Sequence, residues 1–202
     1  IGNNFSYAPT GSPWTFSTPA PNVGAGILGN GSAFGNPQAP EGSQVGFVQS
    51  TGWMSLPVSG VNLTQPWRVS FLAAQRSYQP GGASNTVNVY LDNVRIGSVT
   101  PSGTNYSIYS VSSSSVVSSS HTNLYQVAGV TSIENVGMSP GRHTLTFQGT
   151  SLTDNTVFLD DLQISYPSSV SATISVNNPS FEDNAQPDGG QTSNPTRIPG
   201  WN

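Results

Sequence analysis

Between residues 44 and 164 the chain repeats one pattern: a short run rich in β-branched and aromatic residues, then a turn. The runs are Gln44–Gln49, Trp53–Val58, Trp67–Ala74, Thr86–Leu91, Val94–Val99, Tyr106–Val111, His143–Gln148 and Val157–Ile164. Several alternate apolar and polar residues, which is the period of a half-buried β-strand. In Thr86–Leu91 the side chains of Val87, Val89 and Leu91 face one way, and those of Asn88 and Tyr90 face the other. Asp92-Asn93 is a tight-turn dipeptide joining two such runs into a hairpin. Pro80-Gly81, Pro140-Gly141 and the stretch from Pro101 to Gly103 punctuate the rest. No window has a convincing helical period. Eight or more short strands with regular turns must bury their apolar faces against one another, so the sequence predicts an all-β, jelly-roll-type sandwich of two antiparallel sheets. A chain of 202 residues is long enough to build one such core.

The surface of this sandwich has to be polar with little charge. Charged residues are 7% of the chain, against about 25% in an average soluble domain. Lysine is absent, and the basic residues are Arg68, Arg76, Arg95, Arg142 and Arg197. A net charge of −4 argues against a nucleic-acid partner, which needs a basic surface. The absence of cysteine removes disulfides, thiolate catalysis and cysteine-bound zinc. The apolar runs fall far short of the roughly 20 residues of a membrane-spanning helix, so no membrane span is expected. A lysine-free composition rich in Ser, Thr, Asn and Gly reads as that of an exported protein, extracellular or at a cell surface. The start at Ile1, without a methionine, reads as a mature or excised product.

Two stretches break the rhythm. Residues 112–139, opening on a serine-rich run, read as a flap inserted between two strands, and residues 167–175 read as a Ser-rich linker. Beyond the linker come Val176-Asn-Asn-Pro-Ser-Phe-Glu182 and, later, Ile198-Pro-Gly-Trp201.

The pair Asn178-Pro-Ser-Phe-Glu182 and Ile198-Pro-Gly-Trp201 resembles the opening of a galactose-binding-like jelly roll, as found in DUF642-like domains and in carbohydrate-binding modules similar to them. Residues 9–16, 35–49, 71–76, 142–149 and 154–162 resemble the body of the same kind of domain, in the right order. The resemblance spans residues 7 to 164 apart from the flap. The departure from it lies in the opening strand, whose only copy follows the domain. The expected organisation is therefore a sandwich over 1–166 that lacks its usual first strand, a linker over 167–175, and a segment 176–202. That segment is either the start of a following repeat or a donor strand. As a donor it would place Val176, Asn178, Phe181 and Glu182 on the unpaired edge of a neighbouring copy, or fold back on its own domain.

The resemblance implies a structural Ca²⁺ near the junction of first and last strands, held by Glu182 and one of Asp160 or Asp161, with backbone carbonyls completing the oxygen shell. Glycan binding needs aromatic platforms and planar hydrogen-bonding groups. Trp53, Tyr78, Tyr106 and Tyr109 are the candidates for the first, with Gln75 and Arg76 for the second, while Trp14, Trp67 and Trp201 read as core. Catalysis has little to stand on. His121 and His143 are the only histidines, His143 shares a strand face with Leu145 and Phe147, and no Gly-x-Ser-x-Gly elbow is present. The expectation is a non-enzyme. A structural or adhesive repeat assembled with neighbouring copies of itself ranks first, and a glycan-binding module of a polysaccharide-active secreted protein ranks second.

Overall fold

The computed structural model describes residues 4–61, 67–78, 84–112, 141–166, 173–174 and 181. In chain order the strands are β1 (Phe5–Tyr7), β2 (Thr15–Phe16), β3 (Gly24–Gly29), β4 (Gln44–Gln49), β5 (Trp53–Val61), β6 (Arg68–Gln75), β7 (Val87–Leu91), β8 (Val94–Val99), β9 (Ser107–Ser112), β10 (Gly141–Gly149), β11 (Thr156–Ser165) and β12 (Thr173–Ile174). They form two sheets, one of seven strands in the order β1-β3-β4-β11-β6-β9 with β12 also on β11, and one of five in the order β2-β5-β10-β7-β8. Every pairing is antiparallel, and the described residues contain no helix. The protein is an all-β, jelly-roll-type sandwich. The predicted hairpin is β7–β8, and its turn residues Asp92 and Asn93 take φ of 50° and 68°, the left-handed region that two-residue hairpin turns require.

The alternation read from the sequence decides what lies between the sheets. Ile27, Val48, Val69, Phe71, Val157 and Leu159 of the large sheet meet Met54, Leu56, Val89, Leu145 and Phe147 of the small one. Trp14 and Trp67 are buried in the same cluster. The large sheet also covers its other face. Leu28, Val45, Phe47, Ala74 and Phe158 form a second cluster, over which the segment between β3 and β4 lays Phe34 and Ala39. β3 and β4 are consequently buried on both faces.

Two residues of the expected linker, Thr173 and Ile174, form β12 on β11, and beyond them Phe181 lies in the core of its own chain, 1% exposed. Its ring stacks on Trp14 with centroids 4.9 Å apart and planes 28° from parallel. Gly46 makes room for it, because a Cβ there would stand 2.7 Å from the Phe181 ring. The buried Gln44 side chain donates from Nε2 to the Phe181 carbonyl at 3.4 Å. Val176, Asn178 and Glu182, and the flap beyond Ser112, lie outside the described residues.

Candidate functional site

The outer face of the five-stranded sheet follows from register. β10 pairs β5 so that Gln148 stands opposite Trp53, Thr146 opposite Ser55 and Thr144 opposite Pro57. β10 pairs β7 so that Gln148 stands opposite Asn88 and Thr146 opposite Tyr90, and β7 pairs β8 so that Tyr90 stands opposite Arg95. Because Met54, Leu56, Val87, Val89, Leu145 and Phe147 point into the core, their neighbours in each strand point away from it. The result is a groove of about 400 Å³ lined by Trp53, Ser55, Tyr90, Asn93, Thr144, Thr146 and Gln148.

Local hydrogen bonds hold this surface in place. Ser17 brackets the Trp53 backbone, its N–H donating to the Trp53 carbonyl at 2.8 Å and its hydroxyl accepting from the Trp53 N–H at 3.1 Å. Ser98 donates to Asn88 Oδ1 at 2.6 Å, which aims the Asn88 amide nitrogen at the Tyr90 hydroxyl, 3.4 Å away. At the hairpin end Asp92 accepts from the Thr144 N–H at 2.8 Å and meets His143 Nδ1 at 2.5 Å. The groove lining thus combines two half-buried aromatic rings with hydroxyl and carboxamide groups and carries no carboxylate, imidazole or guanidinium group. Such a surface suits a ligand with apolar ring faces and a rim of hydroxyls.

His143 is buried, and its Nε2 has no hydrogen-bond partner. The His143–Asp92 pair therefore lacks a nucleophile among the described residues and braces the hairpin.

A second groove, of about 390 Å³, lies at Pro21, Asn22, Val23, Ser50, Leu152, Thr153 and Asp154. It has no aromatic platform, and the Ser50 hydroxyl is committed to the carbonyls of Asn22 at 2.5 Å and Thr153 at 2.7 Å.

Of the six residues that the sequence offered for glycan contact, Trp53 alone lines the sheet groove. Gln75 is buried: Nε2 donates to the carbonyls of Asn85 at 2.7 Å and Pro101 at 3.2 Å, and Oε1 accepts from the Asn85 N–H at 3.1 Å. It ties β6 to two loops. Gln75→Ala strands these three backbone groups, and urea unfolding is expected to show a loss of about 2–3 kcal/mol with the groove unaltered. Arg76 pairs with Asp154 at 3.3 Å and lies 4.9 Å over the Phe34 ring. Tyr78 is 71% exposed and lies away from the groove. Tyr106 packs on the second apolar cluster; burial pushes its phenol above the ordinary range, and the charge of Asp160 adds to the effect. Tyr109 packs against the main core, its hydroxyl accepting from the Ser102 N–H at 2.9 Å. What the sequence reading passed over is Tyr90, Asn93, Gln148 and the two threonines.

For the expected calcium site the described residues supply one enclosed carboxylate. Asp160, 1% exposed, accepts from the N–H of Asp161 at 2.8 Å and of Glu41 at 3.4 Å. Asp161 sits at a β-bulge with φ of 45° and accepts from the Gln163 side chain at 3.0 Å. Among the described residues no three His, Cys, Asp or Glu side chains group around a point that would hold an ion. Glu182 lies outside them.

No family model and no curated protein sequence matches the chain. Solved structures similar to it include TmCBM61 in complex with β-1,4-galactotriose, 12% identical with a TM-score of 0.47, covering 77% of this chain and 89% of that one. Another is the CBM22-1 xylan-binding domain of Paenibacillus barcinonensis Xyn10C, 11% identical with a TM-score of 0.45, covering 88% and 95%. A third is a cyclase from Fischerella sp. TAU in complex with 4-(1H-indol-3-yl)butan-2-one, 12% identical with a TM-score of 0.42, covering 81% and 90%. These likenesses are of fold.

Proposed function

We propose that this chain is a non-catalytic glycan-binding module of an extracellular, polysaccharide-active protein, and that it holds a carbohydrate chain on the outer face of its five-stranded sheet. The observation that carries this reading is the groove of Trp53 and Tyr90 with Gln148, Asn93, Thr144 and Thr146 between and around them. A sugar ring presents a C–H face that packs on an aromatic ring and hydroxyls that pair with carboxamides and threonine hydroxyls. The uncharged groups that line the groove cost less to strip of water than ions do, so a shallow open groove can bind a polymer without a large desolvation penalty on its own side.

The structural or adhesive repeat, ranked first from the sequence, takes second place. Of its two supports the lysine-free polar composition stands, while the other, a strand position filled from a neighbouring copy, is weakened because the chain's own Phe181 packs on Trp14. An assembly through that slot would require the segment to be withdrawn and exchanged.

Native electrophoresis in gels cast with soluble polysaccharides tests the proposal. The wild-type protein is expected to be retarded by at least one polysaccharide of a panel of galactans, xylans, glucans and uronate polymers, and no reducing ends are expected to be released. Equal mobility in every gel would contradict the glycan reading.

A further inference from the structure

Resting on the glycan reading, we infer that the polymer held on this face is an anionic one, its acidic groups met by Arg95 and Arg142 at the two margins of the groove. Four of the five arginines fall among the described residues. Arg76 is spent on Asp154, and Arg68 belongs to the large sheet, opposite Ser165 and Ser112. The other two share the outer face of the small sheet. Arg95 stands directly across from Tyr90. Arg142 is one outward position beyond Thr144 on β10, opposite Ser59. Both are exposed, and among the described residues the only basic side chains in contact with an acid are Arg76, on Asp154, and His143, on Asp92, so neither arginine has an acidic partner there.

The acids are distributed the other way. Asp154 holds Arg76, Asp160 and Asp161 lie in β11 of the large sheet, and Glu41 lies in the segment that covers that sheet, its N–H on Asp160. Among the described acids Asp92 alone is near the groove, and both of its oxygens are engaged, by His143 Nδ1 and the Thr144 N–H. In a chain of net charge −4, the two exposed charges that the described residues place on this face are both positive. With a rise of about 3.4 Å per residue and about 4.8 Å between strands, their Cα atoms are roughly 16 Å apart with the groove between them. Guanidinium groups pair bidentately with carboxylates and also meet sulfate esters. Two cations spaced along a binding groove fit a repeating polyanion better than one charged end group.

Titration calorimetry with three probes tests this: polygalacturonate, its fully methyl-esterified form, and dextran sulfate. Polygalacturonate is expected to bind, the methyl ester to bind more weakly, and the double substitution Arg95→Gln, Arg142→Gln to weaken polygalacturonate binding roughly five- to tenfold, since each exposed ion pair adds little. The effect should shrink as salt is raised. Binding of dextran sulfate alone, with the same dependence on both arginines, supports the inference with sulfate as the anion. Binding of neutral polysaccharides that needs Trp53 and ignores both arginines overturns it and leaves the glycan reading standing. Retention of no polysaccharide at all overturns that reading as well. Both arginines are exposed, so the variant is expected to unfold at the wild-type temperature, and this serves as the control for folding.

Discussion

Replacing Phe181 by alanine is expected to remove about 3–5 kcal/mol of stability, the loss found when a fully buried aromatic is cut back to a methyl. Against a total of roughly 5–15 kcal/mol for a domain, that leaves the fold marginal. The expectation follows from the packing: the ring is 1% exposed, stacks on Trp14, and rests where Gly46 has no side chain. Leucine at the same position should recover part of the loss. Gly46→Ala is a second route to the same contact, since its methyl would come within 2.7 Å of the ring and 3.0 Å of Met54 Cε, costing about 1–3 kcal/mol by overpacking. In the Phe181→Ala background that cost should fall, because the two sites share one space. Chemical denaturation at several protein concentrations measures all of this. Because the ring comes from the same chain, the midpoint is expected not to depend on concentration. A midpoint that rises with concentration would mean that a neighbour supplies the ring, and a loss below about 1 kcal/mol would mean that the slot is not part of the stable core.

The second large effect concerns binding. Trp53→Ala is expected to weaken glycan binding by roughly thirtyfold or more, the scale of an aromatic anchor at the centre of a recognition surface. Trp53→Phe should keep a part of it. Trp53 is half-buried on the outer face, and its backbone is held by Ser17, so the unfolding temperature should move little. A variant that folds as the wild type does and binds as tightly would remove Trp53 from the site and leave the groove without its main platform.

The sequence made the strands legible where period and propensity agreed. Gln44–Gln49 and Val94–Val99 have the same bounds in the structure as in the sequence reading. β3 went unseen because Gly24-Ala-Gly-Ile-Leu-Gly29 is poor in the residues that favour strands. Its glycines answer a tertiary demand. A Cβ on Gly26 would stand 2.0 Å from the Ser6 carbonyl oxygen, and one on Gly29 would meet the Asn4 side chain at 1.8 Å. The close approach of β1 and the residues before it excludes any side chain there.

The groove was half legible. That Asn88 and Tyr90 point away from Val87 and Val89 follows from alternation alone. That Gln148 stands beside Trp53 depends on pairing between segments about a hundred residues apart, and nothing local encodes that neighbour. Gln75 misled for a related reason: a glutamine at a strand end looks free for a ligand until the loop carrying Asn85 closes over it. The motif around Phe181 could be recognised, but the destination of its ring could not, because a phenylalanine that packs in its own sandwich and one that packs in a neighbour's have the same sequence.

Carbohydrate bound on the outer face of the five-stranded sheet would be seen residue by residue in nuclear magnetic resonance spectra of ¹⁵N-labelled protein. The titrant is an oligosaccharide of whichever polysaccharide retards the protein most in gels. Shifts are expected at the Trp53 indole N–H, at the side-chain amides of Gln148 and Asn93, and at the backbone amides of Tyr90 and of residues 144–148. Shifts confined to residues 21–23, 50 and 152–154, around the second groove, would contradict binding on that face.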